Sequence, residues 1–232
     1  FVVMFVVLSA LGWVTAKVLR PGAERKGITF FAVTFANTVF LGFPVIEAMY
    51  GADGIFIAKI SNIPFNLMAY TVGYGAVRGG MKDLTLRKAL APPLVASFVA
   101  VLIFLSGVEI PEFVADCFGS MSGATIPMSM LIVGTSLGSV SLKGAAENWR
   151  VFVVVAIKLI VAPILAWLVT SLFVKDEMLL GVIVVLSSAP TAMIATIFAI
   201  EAGRDEGYAS ECVFIGTVLS AVTMPLMIWL LL

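Results

Sequence analysis

The chain has 232 residues, 61% hydrophobic and 12% charged, with 14 basic and 14 acidic side chains and no histidine. Soluble domains run at about 45–50% apolar and about 25% charged, so the composition excludes an ordinary soluble domain. A net charge of zero leaves no electrostatic footprint for nucleic acid.

Eight apolar runs are long enough to cross a bilayer as helices, at about 20 residues each. They cover residues 1–19, 28–50, 55–77, 89–107, 113–138, 150–173, 178–201 and 208–231. The runs are continuous rather than alternating, which predicts helices, and the fold class expected is an all-α polytopic membrane protein. Basic residues set the orientation. Lys17, Arg20, Arg25 and Lys26 flank the first connection, Arg78, Lys82, Arg87 and Lys88 the third, Lys143 and Arg150 the fifth, and Arg204 the seventh. The alternate connections hold Lys175 beside Asp53, Glu109, Glu112, Asp176 and Glu177. The basic connections are therefore expected in the cytoplasm, with both ends of the chain outside. Phe1 stands inside an apolar run and no cleavable leader is recognisable, so an N-terminal truncation is expected. Cys117 and Cys212 show no paired spacing and say nothing of a redox compartment.

The second run is interrupted by Asn37-Thr38-Val39-Phe40-Leu41-Gly42-Phe43-Pro44, and the seventh by Ser187-Ser188-Ala189-Pro190-Thr191. A proline inside a lipid-spanning helix frees backbone groups that no water can satisfy. Two interrupted helices in corresponding places are a sequence pointer to a transporter's binding site. The plainer alternatives are a simple proline kink and hydrogen-bond glue between helices. Asn37, Thr38, Gly42 and Pro44, with Ser188, Pro190 and Thr191, are candidate substrate-binding residues on this ground.

The two interrupted runs share an ending. Ile46-Glu47-Ala48 precedes Gly51-Ala52-Asp53-Gly54, and Ile200-Glu201-Ala202 precedes Gly203-Arg204-Asp205-Glu206-Gly207. The two runs point in opposite directions, so the repeat is inverted, and runs 1–3 match runs 6–8. Two further helices ahead of Phe1 would complete a five-plus-five arrangement.

Three more polar positions stand inside apolar runs. Asn62 and Asn66 flank Pro64 and share one helix face, either to pack or to bind. Lys158 lies about a third of the way into the sixth run, ahead of Ala162-Pro163. An intramembrane charge is a functional candidate by default, unless its stem snorkels to the surface. Snorkelling is the expectation for Lys59, and a solvated or capping role for Glu47 and Glu201. Gly134-Thr135-Ser136-Leu137-Gly138 has the spacing of a nucleophile elbow, but it lies in an apolar helix and no histidine exists to serve as base. No phosphate-binding loop and no zinc-protease pattern is present. The protein is not expected to be an enzyme, and no cofactor or metal is expected.

Asn37 to Gly51 resembles the N-T-x-x-x-G-x-P-x-x-x-A-M-Y-G stretch of plant auxin carriers. Pro190 with Phe198, Ala199 and Glu201 is similar to their second crossover stretch. Gly123-Ala124-Thr125-Ile126-Pro127-Met128-Ser129 and Lys158-Leu159-Ile160-Val161-Ala162-Pro163 resemble microbial members of the same auxin efflux carrier family. The resemblance implies ten helices in two inverted repeats, with two broken helices crossing near the substrate, and it adds Pro127 to the candidate site. It divides the chain into residues 1–77 and 141–232, two halves of a transport domain, and 78–140, half of a scaffold domain. Ala36 stands where the plant carriers have a proline, and Ala195 where their second helix has its crossover proline. A softer second break, or one centred on Pro190, is expected, and small organic acids are preferred to auxin itself.

The function expected is secondary or facilitated transport of small organic anions by alternating access. A sodium-coupled symporter of the bile-acid type is one alternative. A non-transporting membrane sensor or partner-binding subunit is another. The expected partners are an organic anion, the lipid bilayer of the cell membrane, a coupling ion (H+ or Na+) and a second copy of the chain bound through the scaffold domain.

Overall fold

The computed structural model describes residues 1–80, 92–108, 110–139 and 148–232. Lys82, Arg87, Lys88 and Lys143 of the basic connections lie outside the described residues. The protein is all-α and polytopic, and the only β-type pairing among the described residues is one isolated bridge between Ala36 and Thr191.

Helix α1 runs Val2–Leu19 and stops at Arg20, which takes a left-handed conformation (φ 43°) directly before Pro21. A proline there cannot continue the helix. The first interrupted run folds as α2 (Ala23–Thr34), an extended Phe35, a π-turn over Thr38–Gly42, and α3 (Phe43–Met68). The helix thus begins at Ala23 and not at 28. Its first turn, Ala23-Glu24-Arg25-Lys26, is helical but charged, so an apolar run does not contain it. Gly51 (φ 61°, ψ −147°) interrupts α3. A backbone turned that way suits glycine, and it separates the second run from the third. A π-turn over Ala69–Gly73 and the short α4 (Tyr74–Arg78) complete the third run.

Helices α5 (Pro92–Ser106) and α6 (Glu112–Ser139) follow. The sixth run is α7 (Trp149–Ala156), a π-turn over Ile157–Val161, and α8 (Ala162–Thr170). The seventh is α9 (Glu177–Ser188) and α10 (Ile194–Glu201), and the eighth is α11 (Glu206–Leu231). Asp176 caps α9 by accepting from the Leu179 N–H at 2.7 Å. The two broken helices start alike, each with a 12-residue half-helix before its break. They also end alike, on a left-handed glycine, Gly51 at φ 61° and Gly203 at φ 62°.

Four stretches among the described residues are long and apolar enough to cross a membrane: Val2–Leu19, Thr38–Arg78, Trp149–Thr170 and Glu206–Leu231. The half-helices are too short to cross unaided. Their ends lie inside the bundle, packed against α1, α3, α4, α8 and α11. Phe31, Ala32, Val33, Val182 and Val184 on them have no measurable exposure. Helix α5 touches α3, and α6 meets the first π-turn. Both carry exposed large apolar side chains, among them Phe98, Phe104, Phe113 and Phe118, as a surface facing lipid does.

The start of the first broken helix is tied to the end of the second at the basic face. Arg25 Nε donates to Asp205 at 2.6 Å and stacks over the Tyr208 ring, whose hydroxyl meets Thr29 Oγ1 at 3.0 Å. Burial pushes the Asp205 carboxyl up, but the Tyr208 N–H and the Arg25 guanidinium outweigh it, and the net shift is downward. Arg204 Nη2 donates to the Arg78 carbonyl at the end of α4.

Candidate functional site

The two breaks meet in the middle of the bundle. The Asn37 N–H donates to the Pro190 carbonyl at 2.6 Å, and the Ala192 N–H donates to the Phe35 carbonyl at 3.0 Å. These two bonds are the antiparallel bridge between Ala36 and Thr191. Each broken helix thereby supplies the partners that the other lost, as an apolar medium demands. Two further bonds add to the bridge. Thr191 Oγ1 donates at 2.9 Å to the Ala32 carbonyl, one of those orphaned at the end of α2. Asn37 (φ −77°, ψ 69°) forms an inverse γ-turn, closed by the Thr38 N–H on the Ala36 carbonyl at 2.9 Å.

The first break therefore centres on Ala36 and Asn37, a full π-turn ahead of Pro44. Pro44 sits in the first turn of α3. Its missing N–H costs little at the start of a helix, and the wider π-turn before it avoids the clash that a proline ring makes with the preceding turn. The second break centres on Pro190 and Thr191, where Ala189 leaves α9 in an extended conformation. Ala195 lies inside α10.

Three polar atoms in this region are buried and have no hydrogen-bond partner among the described residues: Asn37 Nδ2, Ser188 Oγ and Lys158 Nζ. Asn37 is bonded to Pro190 through its main chain, and Ser188 stands two residues before Pro190. Lys158 has no measurable exposure, so its stem does not carry the charge to the surface. It lies in the π-turn Ile157–Val161, which packs against α2, α9 and α11. Gly216 of α11 brings these elements together, because a Cβ there would lie 3.6 Å from Pro190 Cβ and 3.8 Å from Val155 Cγ2. Native proteins leave few buried polar groups unpaired, and such groups mark strain, function or an absent ligand.

The other candidates are placed as follows. Thr38 is buried and its Oγ1 donates to Asn62 Oδ1 at 3.1 Å, which ties the first break to α3. Asn66 is half-buried one turn further on. Gly42 is buried, and a Cβ there would reach Leu186 Cδ2 of α9 at 3.0 Å. Pro127 is exposed on α6 and takes no part in the hydrogen bonds of the crossing. Sequence reasoning missed Phe35, Ala36 and Ala192, whose contribution is main-chain only. The signal available was their position, directly beside the polar residues of matched breaks.

Thr191→Val removes one hydroxyl from a fully buried site and keeps the shape. It strands the Ala32 carbonyl, and a buried group left unsatisfied costs about 1–3 kcal/mol. A fall in melting temperature is expected in detergent, whereas Thr170→Val on α8, whose hydroxyl bonds back to the Ala166 and Trp167 carbonyls of its own helix, should change it less. Equal melting of Thr191→Val and wild type would remove this bond from the structure's support.

A family model described as a membrane transport protein matches residues 1–84 and 76–228. An uncharacterized transporter of Methanothermobacter thermautotrophicus is 29% identical over 218 residues, covering 92% of this chain and 70% of that protein. An uncharacterized transporter of Methanocaldococcus jannaschii is 27% identical over 216 residues, covering 90% of this chain and 70% of that protein.

Proposed function

The chain belongs to the membrane transport protein family, that of the auxin efflux carriers, and from that premise we propose that it carries small organic anions across the membrane by alternating access at the crossing. The observation behind this reading is the set of unpaired buried groups. Asn37 Nδ2 and Lys158 Nζ are donors, and only Ser188 Oγ can also accept. A carboxylate accepts hydrogen bonds, so it complements the set. Sodium needs several oxygen ligands, and a buried ammonium packed beside the same helices repels it. The anion reading is therefore preferred to the sodium-coupled one. The start of α10 adds a positive dipole end near the second break.

In this reading α1–α4 and α7–α11 move as one unit against α5 and α6. The hydrogen bonds between the two breaks hold that unit together, while the crossing is exposed to one side of the membrane and then the other. The proposed substrates are mono- and dicarboxylates.

The test is a thermal-shift screen of the purified protein against such carboxylates, followed by uptake into liposomes with and without sodium. Stabilisation by a carboxylate and sodium-independent uptake are expected. Asn37→Ala should insert normally and lose roughly tenfold in affinity, the low end for a hydrogen bond to a charged group. Binding without flux would replace transport by the sensor reading, and flux that needs sodium would replace it by the symporter reading. Normal flux in Asn37→Ala at equal expression would move the site away from the crossing.

A further inference from the structure

A cavity opens at the end of the bundle that carries the basic connections, with none of the unpaired groups of the crossing in its lining. Its volume is about 550 Å³. One part of its wall is basic and irregular, formed by Lys26 and Arg204. The rest is apolar, with Trp13, Phe30, Val72 and Ala76. Trp13 lies six residues before the end of α1, roughly 9 Å deeper along the helix axis. Phe30 lies four residues beyond Lys26 on α2, one helical turn deeper. The cavity is thus cationic at the membrane surface and apolar below it.

Neither cation is neutralised by an acid. Arg204 is anchored by Nη2 on the Arg78 carbonyl and has no ion-pair partner among the described residues. Gly79 (φ 91°) allows this placement, because a Cβ there would lie 2.6 Å from Arg204 Nη2. Lys26 is exposed and has no ion-pair partner among the described residues. No carboxylate of the described residues lines the cavity. The nearby Asp205 is engaged by Arg25 at 2.6 Å.

We propose that this cavity binds an anionic phospholipid, its phosphate between Lys26 and Arg204 and the start of one acyl chain along Trp13, Phe30 and Val72. A free phosphate would satisfy the cations but leave the apolar wall uncovered, so the amphiphile fits the whole cavity. Basic pockets between membrane helices hold lipid headgroups by this combination. The bound lipid would bridge α1, α2 and the loop before α11, and so join the two repeats at this face. The site is separate from the crossing, and its test reads lipid and not flux.

The full chain is stripped of lipid in detergent and placed in phosphatidylcholine bilayers with rising dioleoyl-phosphatidylglycerol, and bound lipid is counted by native mass spectrometry. Wild type is expected to retain phosphatidylglycerol over phosphatidylcholine. Each surface cation contributes about fivefold in affinity, so Lys26→Gln should weaken retention about fivefold and the double variant with Arg204→Gln roughly 25-fold. Arg20→Gln, outside the cavity, should leave it unchanged. Lys26 holds no other side chain among the described residues, so its variant reports on lipid even if Arg204→Gln disturbs the Arg78 contact. Equal retention by Lys26→Gln and wild type overturns the proposal. So does displacement of phosphatidylglycerol by millimolar inorganic phosphate, which would mark the site as one for a free anion.

Discussion

Lys158→Met is expected to abolish most carboxylate binding while leaving the protein as stable as wild type, or more stable. Lys158 has no measurable exposure and its Nζ has no partner among the described residues. A charge buried without a counter-charge is destabilising. Methionine has a similar length, fills the same space and carries no charge, so the fold should gain from the change. Binding should lose, because hydrogen bonds to charged groups are worth about 1.5–3 kcal/mol, and the upper value is roughly 100-fold in affinity. Lys158→Arg keeps the charge but replaces a compact ammonium by a larger planar fork, and partial activity is expected. Melting temperature and substrate affinity, measured side by side, separate the possible roles. Wild-type affinity in Lys158→Met would take this residue out of the site. A lowered melting temperature would show that its ammonium is satisfied in the folded protein.

The second large effect concerns folding. Gly27 lies where α2 passes α4, and a Cβ built there collides with the Ala76 carbonyl and the Val77 Cα. Both are backbone atoms, so no side-chain rotation relieves the clash. Gly27→Ala must separate the two helices or bend one of them. Overpacking costs about 1–3 kcal/mol and occasionally more, and a backbone clash belongs at the top of that range. Reduced folded yield and a clearly lower melting temperature are expected. Gly80→Ala is the control, since nothing among the described residues lies within 4 Å of a Cβ there. If both variants melt together, α2 and α4 do not pack as closely as the structure shows.

Much of the fold was legible because a bilayer writes itself directly into sequence. Lipid-facing and buried positions must both be apolar, so the helices appear as long apolar runs with charges at their ends. Breaks inside such runs are equally visible. Proline, asparagine, serine and threonine are costly in mid-membrane, and Asn37, Ser188, Pro190 and Thr191 all stand where the chain leaves its helices. The paired left-handed glycines, Gly51 and Gly203, follow from the repeat read in the two Gly-Asp endings.

Other features depended on contacts between distant parts of the chain. The sequence places a proline at 44, and a proline suggests the break. The break lies a π-turn earlier because the Phe35 carbonyl and the Asn37 N–H find partners on the second broken helix, whereas Pro44 is accommodated at the start of α3. A lysine partway into an apolar run is compatible with snorkelling or burial, and only the packing of its π-turn against α2, α9 and α11 buries Lys158 completely. Arg204 read only as a marker of orientation. Its approach to the Arg78 carbonyl, past a glycine with no side chain, decides where that cation points. Apolar periodicity and helix-breaking residues report what each segment does in lipid by itself. Which backbone groups meet, and which charges are sealed inside, is fixed by how the two halves of the chain pack together.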